Sequence, residues 1–129
     1  MKIAISIVLI MHGLAHLSGF LASWTNLDVG FKDENWIFSS KKYLEGVTGK
    51  FFGIIWFISM LIFVSSGVGL LTAQNWWTNT LITAAFISLL SVLPGWKSVP
   101  SGAKLGALFD AAVLIIFLSS LKAEVIQLI

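Results

Sequence analysis

The sequence predicts an all-α integral membrane protein, a four-helix bundle with one long polar, interfacial loop between helices 1 and 2. Of its 129 residues, 57% are hydrophobic and only 11% are charged, against about 25% charged residues in soluble domains. The mean hydropathy is +0.94, and almost all charged residues lie outside or at the edges of four apolar runs, as in helices that cross a bilayer. We therefore interpret residues 1–129 as a single transmembrane domain.

The first predicted span covers residues 3–24, and it is followed by a polar loop at residues 25–50. Lys2 precedes the span, as basic residues precede the apolar core of a signal peptide. The apolar run is longer than the roughly 7–15 residues of a signal-peptide core and lacks a clear cleavage site, so a retained helix is expected. The loop carries most of the charged residues, and its aromatic residues indicate a segment at the level of the lipid headgroups, with a short helix near residues 39–46.

The remaining predicted spans cover residues 51–72, 80–94 and 105–121. A short Trp-rich turn separates the first two of these, and the helix-breaking pair Pro94-Gly95 ends the third predicted span. Four spans leave both termini on one side. Lysines border the first and third loops more often than the termini, which predicts that these loops face the cytoplasm and that the protein is a multi-pass protein of the cell (inner or plasma) membrane.

The composition also excludes several kinds of chemistry. The chain has no cysteine, which removes disulfides, thiolate nucleophiles and cysteine-bound metals. All eight cationic side chains are lysines, so the bidentate clamp that arginine forms on phosphate is missing. No basic patch for nucleic acid is present. The expected partners are membrane lipids, a lipophilic small molecule and further copies of the chain.

Three ionisable residues lie inside the predicted spans: His12, His16 and Asp110. Burying such groups is costly, so they are functional candidates by default. The two histidines are four residues apart and share one helical face. At about 1.5 Å per residue, His16 lies ~12 Å from Trp24 and Asp110 lies ~8 Å inside the fourth span. We therefore expect Asp110 to meet His16, with His12 one turn deeper.

This cluster predicts a catalytic site that opens toward the first and third loops. Small residues flank it on both helices, and polar loop residues, including Lys50, are expected at its mouth. The residues expected to bind substrate are Gly19, Ser23, Tyr43, Glu45, Trp56 and Gly106. Intramembrane serines commonly bond to preceding carbonyls of their own helix, and we expect this of Ser59, Ser65, Ser66, Ser88 and Ser91.

The segments HGLAHLSGF and WKSVPSGAKLGALFDAAVLI, with the Trp-rich turn between them, resemble a group of uncharacterised small four-span bacterial membrane proteins. Members share an HGxxHxxGF-like first helix and are often described as permease-like. The resemblance covers most of the chain and implies the four-span architecture, without an established activity. It carries onto His12, Gly13, His16, Gly19, Phe20, Lys104 and Gly106.

Four functions are compatible with the pattern. In a membrane-embedded acid–base enzyme of the isomerase, cyclase or hydratase type, His16 would exchange a proton, Asp110 would fix its tautomer and His12 would donate to a lipophilic substrate. Alternatively, all three residues would bind one divalent metal as two nitrogens and one oxygen. Haem is not expected, because axial ligands approach from opposite faces. A proton-coupled transporter or permease-like subunit and a non-catalytic scaffold are the other two alternatives.

Overall fold

The computed structural model describes residues 1–129 as an all-helical protein without β-strands; Asn35 and Lys42 form a single isolated bridge. The predicted all-α class is confirmed. The helices are α1 (Lys2–Ala15), α2 (Leu17–Trp24), α3 (Gly46–Leu71), α4 (Trp77–Val92), α5 (Ser101–Leu118) and α6 (Leu121–Leu128).

Three helical stretches are long and apolar enough to cross a membrane. They are Lys2–Trp24, which joins α1 and α2 over 23 residues, Gly46–Leu71 with 26 residues, and Ser101–Leu118 with 18 residues. The helix α4 is also apolar but has only 16 residues. The long stretches expose large apolar side chains along their outer faces, as helices in contact with lipid do.

The helix boundaries differ from the prediction at several places. The helix α3, which corresponds to the second predicted span, begins at Gly46, five residues before the predicted start. Glu45 is extended there and Gly46 has a φ of +60°, a conformation that glycine adopts without a steric penalty. The short helix predicted near residues 39–46 is wrong, because residues 37–45 form turns and bends. The fourth predicted span begins at Ser101 and ends at Leu118, where Ser119 is extended.

A break at His16 separates α1 from α2. In a regular helix the carbonyl of His12 would accept the backbone N–H of His16. Here the imidazole Nδ1 of His16 donates to the His12 carbonyl at 3.0 Å, and the backbone N–H of His16 donates to Gly13 O at 2.9 Å. The turn at His16 is therefore tighter than a regular α-helical turn. His12 bonds to Asp110 on α5, and His16 bonds to Ser88 on α4.

The helix α3 lies at the centre of the bundle, where α1, α2 and α4 pack on it, and α5 packs on α4. Close packing between α1 and α3 depends on Gly13 and Gly67, where an added Cβ would lie 2.9 Å and 2.7 Å from the neighbouring helix. The helices α1 and α5 do not pack along their lengths. A side-chain contact between His12 and Asp110 joins them.

The polar segment at residues 25–45 folds over one end of the bundle. Backbone N–H groups of Lys32 and Ile37 donate to the carbonyls of Ser98 and Pro94, at 2.7 Å and 2.9 Å. Tyr43, near the end of this segment, is completely buried. The segment is thereby bonded to the connection between α4 and α5, which fixes the start of α5.

Candidate functional site

Four polar side chains from three parts of the bundle meet in one buried network. His12 lies on α1, His16 at the α1–α2 break, Ser88 on α4 and Asp110 on α5. His16, Ser88 and Asp110 are buried, with Ser88 and Asp110 at 0% exposure, and the His12 side chain is 14% exposed. The sequence predicted the two histidines and the aspartate, and the structure brings them together.

Asp110 holds one nitrogen of His12 and leaves the other free. His12 Nε2 donates to Asp110 Oδ1 at 2.9 Å. The His12 ring is clamped by Phe63 and Phe109, with ring centroids 4.6 Å and 4.7 Å away. Its Nδ1 has no hydrogen-bond partner in the protein and is not among the sealed-off polar atoms. A neutral His12 therefore offers the Nδ1 lone pair to whatever lies beside it.

Asp110 reaches His16 through Ser88. The Ser88 hydroxyl donates to Asp110 Oδ2 at 2.5 Å and lies 2.7 Å from His16 Nε2. The expected direct contact between Asp110 and His16 is wrong, because His16 Nε2 bonds to Ser88 on α4, whereas His12 bonds to Asp110. These two bonds need two hydrogens and the serine supplies one. If His16 Nε2 carries the second, His16 is a cation, because its Nδ1 also donates to the His12 carbonyl. If the carboxyl group carries it, Asp110 donates to Ser88 and Ser88 donates to His16.

Ser88 is the member of the network that the sequence analysis missed. Two of the five serines follow the expected pattern, Ser65 bonding to Leu61 O and Ser91 to Ser88 O. Ser66 bonds to the carbonyl of Trp77 on α4, and Ser59 has no partner. The signal that marks Ser88 is its position on one helical face with Ala84, Ala85 and Ser91, all of which are completely buried.

A cleft of about 290 Å³ lies against the network. It runs between α1/α2 on one side and α5 on the other, and His12, His16 and Ser88 contribute its polar wall. The lining residues are His12, Ala15, His16, Ser18, Trp56, Ser88, Val92, Pro100, Gly102, Ala103 and Gly106. At Gly106, an added Cβ would lie 3.1 Å from His12 Cε1 and 3.8 Å from Nδ1, so the absence of a side chain there keeps His12 accessible.

Of the predicted substrate-binding residues, Trp56 and Gly106 line this cleft. Gly19 lies behind it, where any Cβ would overlap the Trp56 indole. Ser23 donates to the Gly19 and Phe20 carbonyls of its own helix, at 3.0 Å each. These two small residues therefore serve helix packing and do not touch the cleft.

The loop residues predicted at the mouth lie elsewhere. The Tyr43 hydroxyl donates to Ser91 O and accepts the Trp56 Nε1–H at 2.9 Å, and burial raises the pKa of this phenol well above its usual value. Glu45 is exposed at the start of α3, and Lys50 Nζ lies 5.3 Å from the Trp24 ring centroid. Tyr43 thus acts indirectly, because it fixes the Trp56 ring that lines the cleft.

The network also has the donor set of a metal site. One ligand atom from each of His12, His16 and Asp110 lies within 4.8 Å of the others. Two imidazole nitrogens and one carboxylate oxygen suit zinc or ferrous iron. His16 Nδ1 already donates to a backbone carbonyl, which is the outer-shell bond that orients metal-binding histidines.

Comparison of the chain with protein-family models, curated proteins and solved structures finds no match in any of the three.

Proposed function

We propose that the protein crosses the membrane four times, through α1–α2, α3, α4 and α5. The helix α4 spans about 24 Å at 1.5 Å per residue, which is short of a ~30 Å core, but Trp76 just before its start is 44% exposed and suited to the interface. Lys50 over Trp24 and Lys104 over Trp96 mark the opposite interface. The lysine distribution favours the first and third loops on the cytoplasmic side of the cell membrane.

We propose further that the site is that of a membrane-embedded acid–base enzyme acting on a lipophilic small molecule. The observation that carries this proposal is the His12–Asp110 pair, with Nε2 bonded to the carboxylate and Nδ1 unpartnered in the cleft. A carboxylate on one imidazole nitrogen fixes the tautomer and stabilises the cation that forms when the other nitrogen takes a proton. His12, and not His16, is then the general base.

Ser88 and His16 hold Asp110 in place for this role. Both carboxylate oxygens have a partner, His12 on one and Ser88 on the other. The Ser88 hydroxyl is in turn hydrogen-bonded to His16 Nε2. No lysine lines the cleft to stabilise an oxyanion. The geometry therefore favours proton abstraction and return, as in an isomerase, cyclase or hydratase, over acyl transfer.

Solvent deuterium tests this proposal while the substrate is still unidentified. The purified protein is reconstituted in vesicles made from the lipid extract of the cells that produced it, in D₂O buffer, and mass spectrometry follows every neutral lipophilic species. An enzyme that removes and returns a carbon-bound proton introduces deuterium into its substrate. General-base catalysis contributes about 10²–10⁴-fold, so the His12→Gln variant should lower the exchange rate by that factor.

Ser65→Ala is the matched control, because the Ser65 hydroxyl is exposed and bonds only to Leu61 O of its own helix. It should exchange deuterium like the unmodified protein. Equal deuteration with and without His12, or no deuterium gain in any species, would refute the acid–base proposal.

A metal centre is the second candidate, and the clustering of the three ligand atoms within 4.8 Å favours it. Binding would require His16 Nε2 to exchange its bond with Ser88 for the metal. Elemental mass spectrometry on detergent-purified protein tests this. About one zinc or iron per chain, lost in the His12→Ala, His16→Ala double variant, is expected for a metal centre. Equal metal content in the two proteins argues against it.

A further inference from the structure

The α1–α2 stretch and α5 face each other along a line that we call the seam. The seam is closed at His12 and open about one helical turn further along. It closes at His12, where Phe109 packs on the imidazole and Asp110 bonds to it. Beyond that level the facing residues are small, so the two helices leave the cleft between them. Those residues are Ala15 and Ser18 on one rim and Gly102, Ala103 and Gly106 on the other.

The mouth of the cleft lies on the apolar side of the molecule. No residue of the 25–50 segment lines it, and that segment folds over the neighbouring end of the bundle. Exposed apolar side chains lie beside both rims. Met11 and Leu14 on α1, and Leu105 and Leu108 on α5, are each between 47% and 68% exposed. A molecule that enters the cleft therefore passes between side chains that suit hydrocarbon and not water.

The reactive nitrogen lies near the middle of the membrane-spanning helices. His12 is about 15 Å along the helix from Lys2 and about 18 Å from Trp24. Asp110 is about 13 Å from the start of α5 and about 12 Å from its end. In the four-span arrangement proposed above, both residues lie close to the bilayer midplane, well below the headgroups.

We propose that the cleft admits a neutral lipophilic molecule sideways from the bilayer interior and places an uncharged hydroxyl or carbonyl group beside His12 Nδ1. A charged headgroup would have to leave water to reach this depth, at high cost. The cleft volume of about 290 Å³ is at the lower limit of small-molecule sites, so it accommodates the polar end of such a molecule while its chain remains in the seam. This inference rests on the proposed function for its membrane placement.

Photolabelling in vesicles tests the inference. The probe is a long-chain alcohol with a diazirine next to its hydroxyl group, and its counterpart is the phosphate ester of the same alcohol. Peptide mapping should place the alcohol on residues 12–18 and 102–106, and the phosphate should leave both segments unlabelled. Equal labelling of these segments by the two probes would overturn the requirement for a neutral ligand.

Gly106→Leu fills the cleft beside His12, and Ala112→Leu on the exposed side of α5 adds the same side chain outside it. Labelling of residues 12–18 should fall about tenfold in the first variant, the effect of about 1.4 kcal/mol of steric overlap, and stay unchanged in the second. Gly106→Ala places a Cβ 3.1 Å from His12 Cε1 and should reduce labelling less strongly. It replaces the leucine variant in the experiment if that variant does not fold. Unchanged labelling in both Gly106 variants would overturn entry through the cleft.

The variant His12→Gln separates this inference from the acid–base proposal. It should lose deuterium exchange and keep the photolabel, because glutamine leaves the cleft open and its amide still offers a hydrogen-bond partner to the ligand but is not a base. Deuterium exchange without labelling of the cleft would overturn the lateral entry of a neutral ligand and leave the acid–base proposal intact. Labelling of the cleft without deuterium exchange in the unmodified protein would refute the acid–base proposal and leave the lateral entry of a neutral ligand intact.

Discussion

Ser88→Ala tests whether the buried network holds α4 and α5 to the first helix. The hydroxyl joins Asp110 Oδ2 and His16 Nε2, and all three residues are buried. Its removal leaves a carboxylate oxygen and an imidazole nitrogen without partners. Interhelical hydrogen bonds in membranes contribute about 1–2 kcal/mol each in model peptides, so the loss of two should lower the free energy of unfolding by about 2–4 kcal/mol.

Ser91→Ala is the matched control for this change. Ser91 lies on the same helix and is equally buried, but its hydroxyl donates only to Ser88 O, a carbonyl of its own helix. Its loss leaves no polar side chain unpartnered, and the expected change is below about 1 kcal/mol. Unfolding by sodium dodecyl sulfate in mixed micelles, followed by circular dichroism, measures both variants. Equal destabilisation of the two would refute the interpretation of Ser88 as the bond between helices.

Three further predictions concern the surroundings of the network. Gly19→Ala should destabilise the protein by about 1–3 kcal/mol in the same assay, because its Cβ would overlap Trp56; Gly102→Ala, which meets open space, should not. Tyr43 is the only tyrosine, and burial raises its pKa, so tyrosinate absorbance should not appear near pH ~10 in the folded protein. An unfolded tyrosine ionises there, so stability should fall as the pH rises above that value; normal titration of the folded protein would contradict the burial. A nitroxide attached to Ala15→Cys, in a chain that has no other cysteine, should collide more often with oxygen than with a water-soluble nickel complex, and the opposite ratio would place the cleft mouth in water.

The sequence predicted the members of the site better than their connections. His12, His16 and Asp110 stand out because ionisable side chains in apolar runs are costly and rare. A serine carries no such signal, since its hydroxyl is commonly satisfied by its own helix, so Ser88 was not predicted. The loop residues expected at the mouth of the site lie elsewhere for a related reason. Tyr43, Glu45 and Lys50 belong to the predicted first loop, but hydrogen bonds from the loop to the α4–α5 connection determine where that loop lies.

Composition and hydropathy alone determined that the chain is helical and apolar, because a chain with few charges and long apolar runs has to satisfy its backbone internally when it crosses a membrane. They also determined which three ionisable side chains lie inside the apolar runs, away from the helix ends. The tertiary structure decided which of them meet. The partner of Asp110 depends on the break at His16 and on the level at which α5 begins, and the accessible nitrogen depends on Gly106 facing His12. These are relations between helices, and no pattern within one helix encodes them.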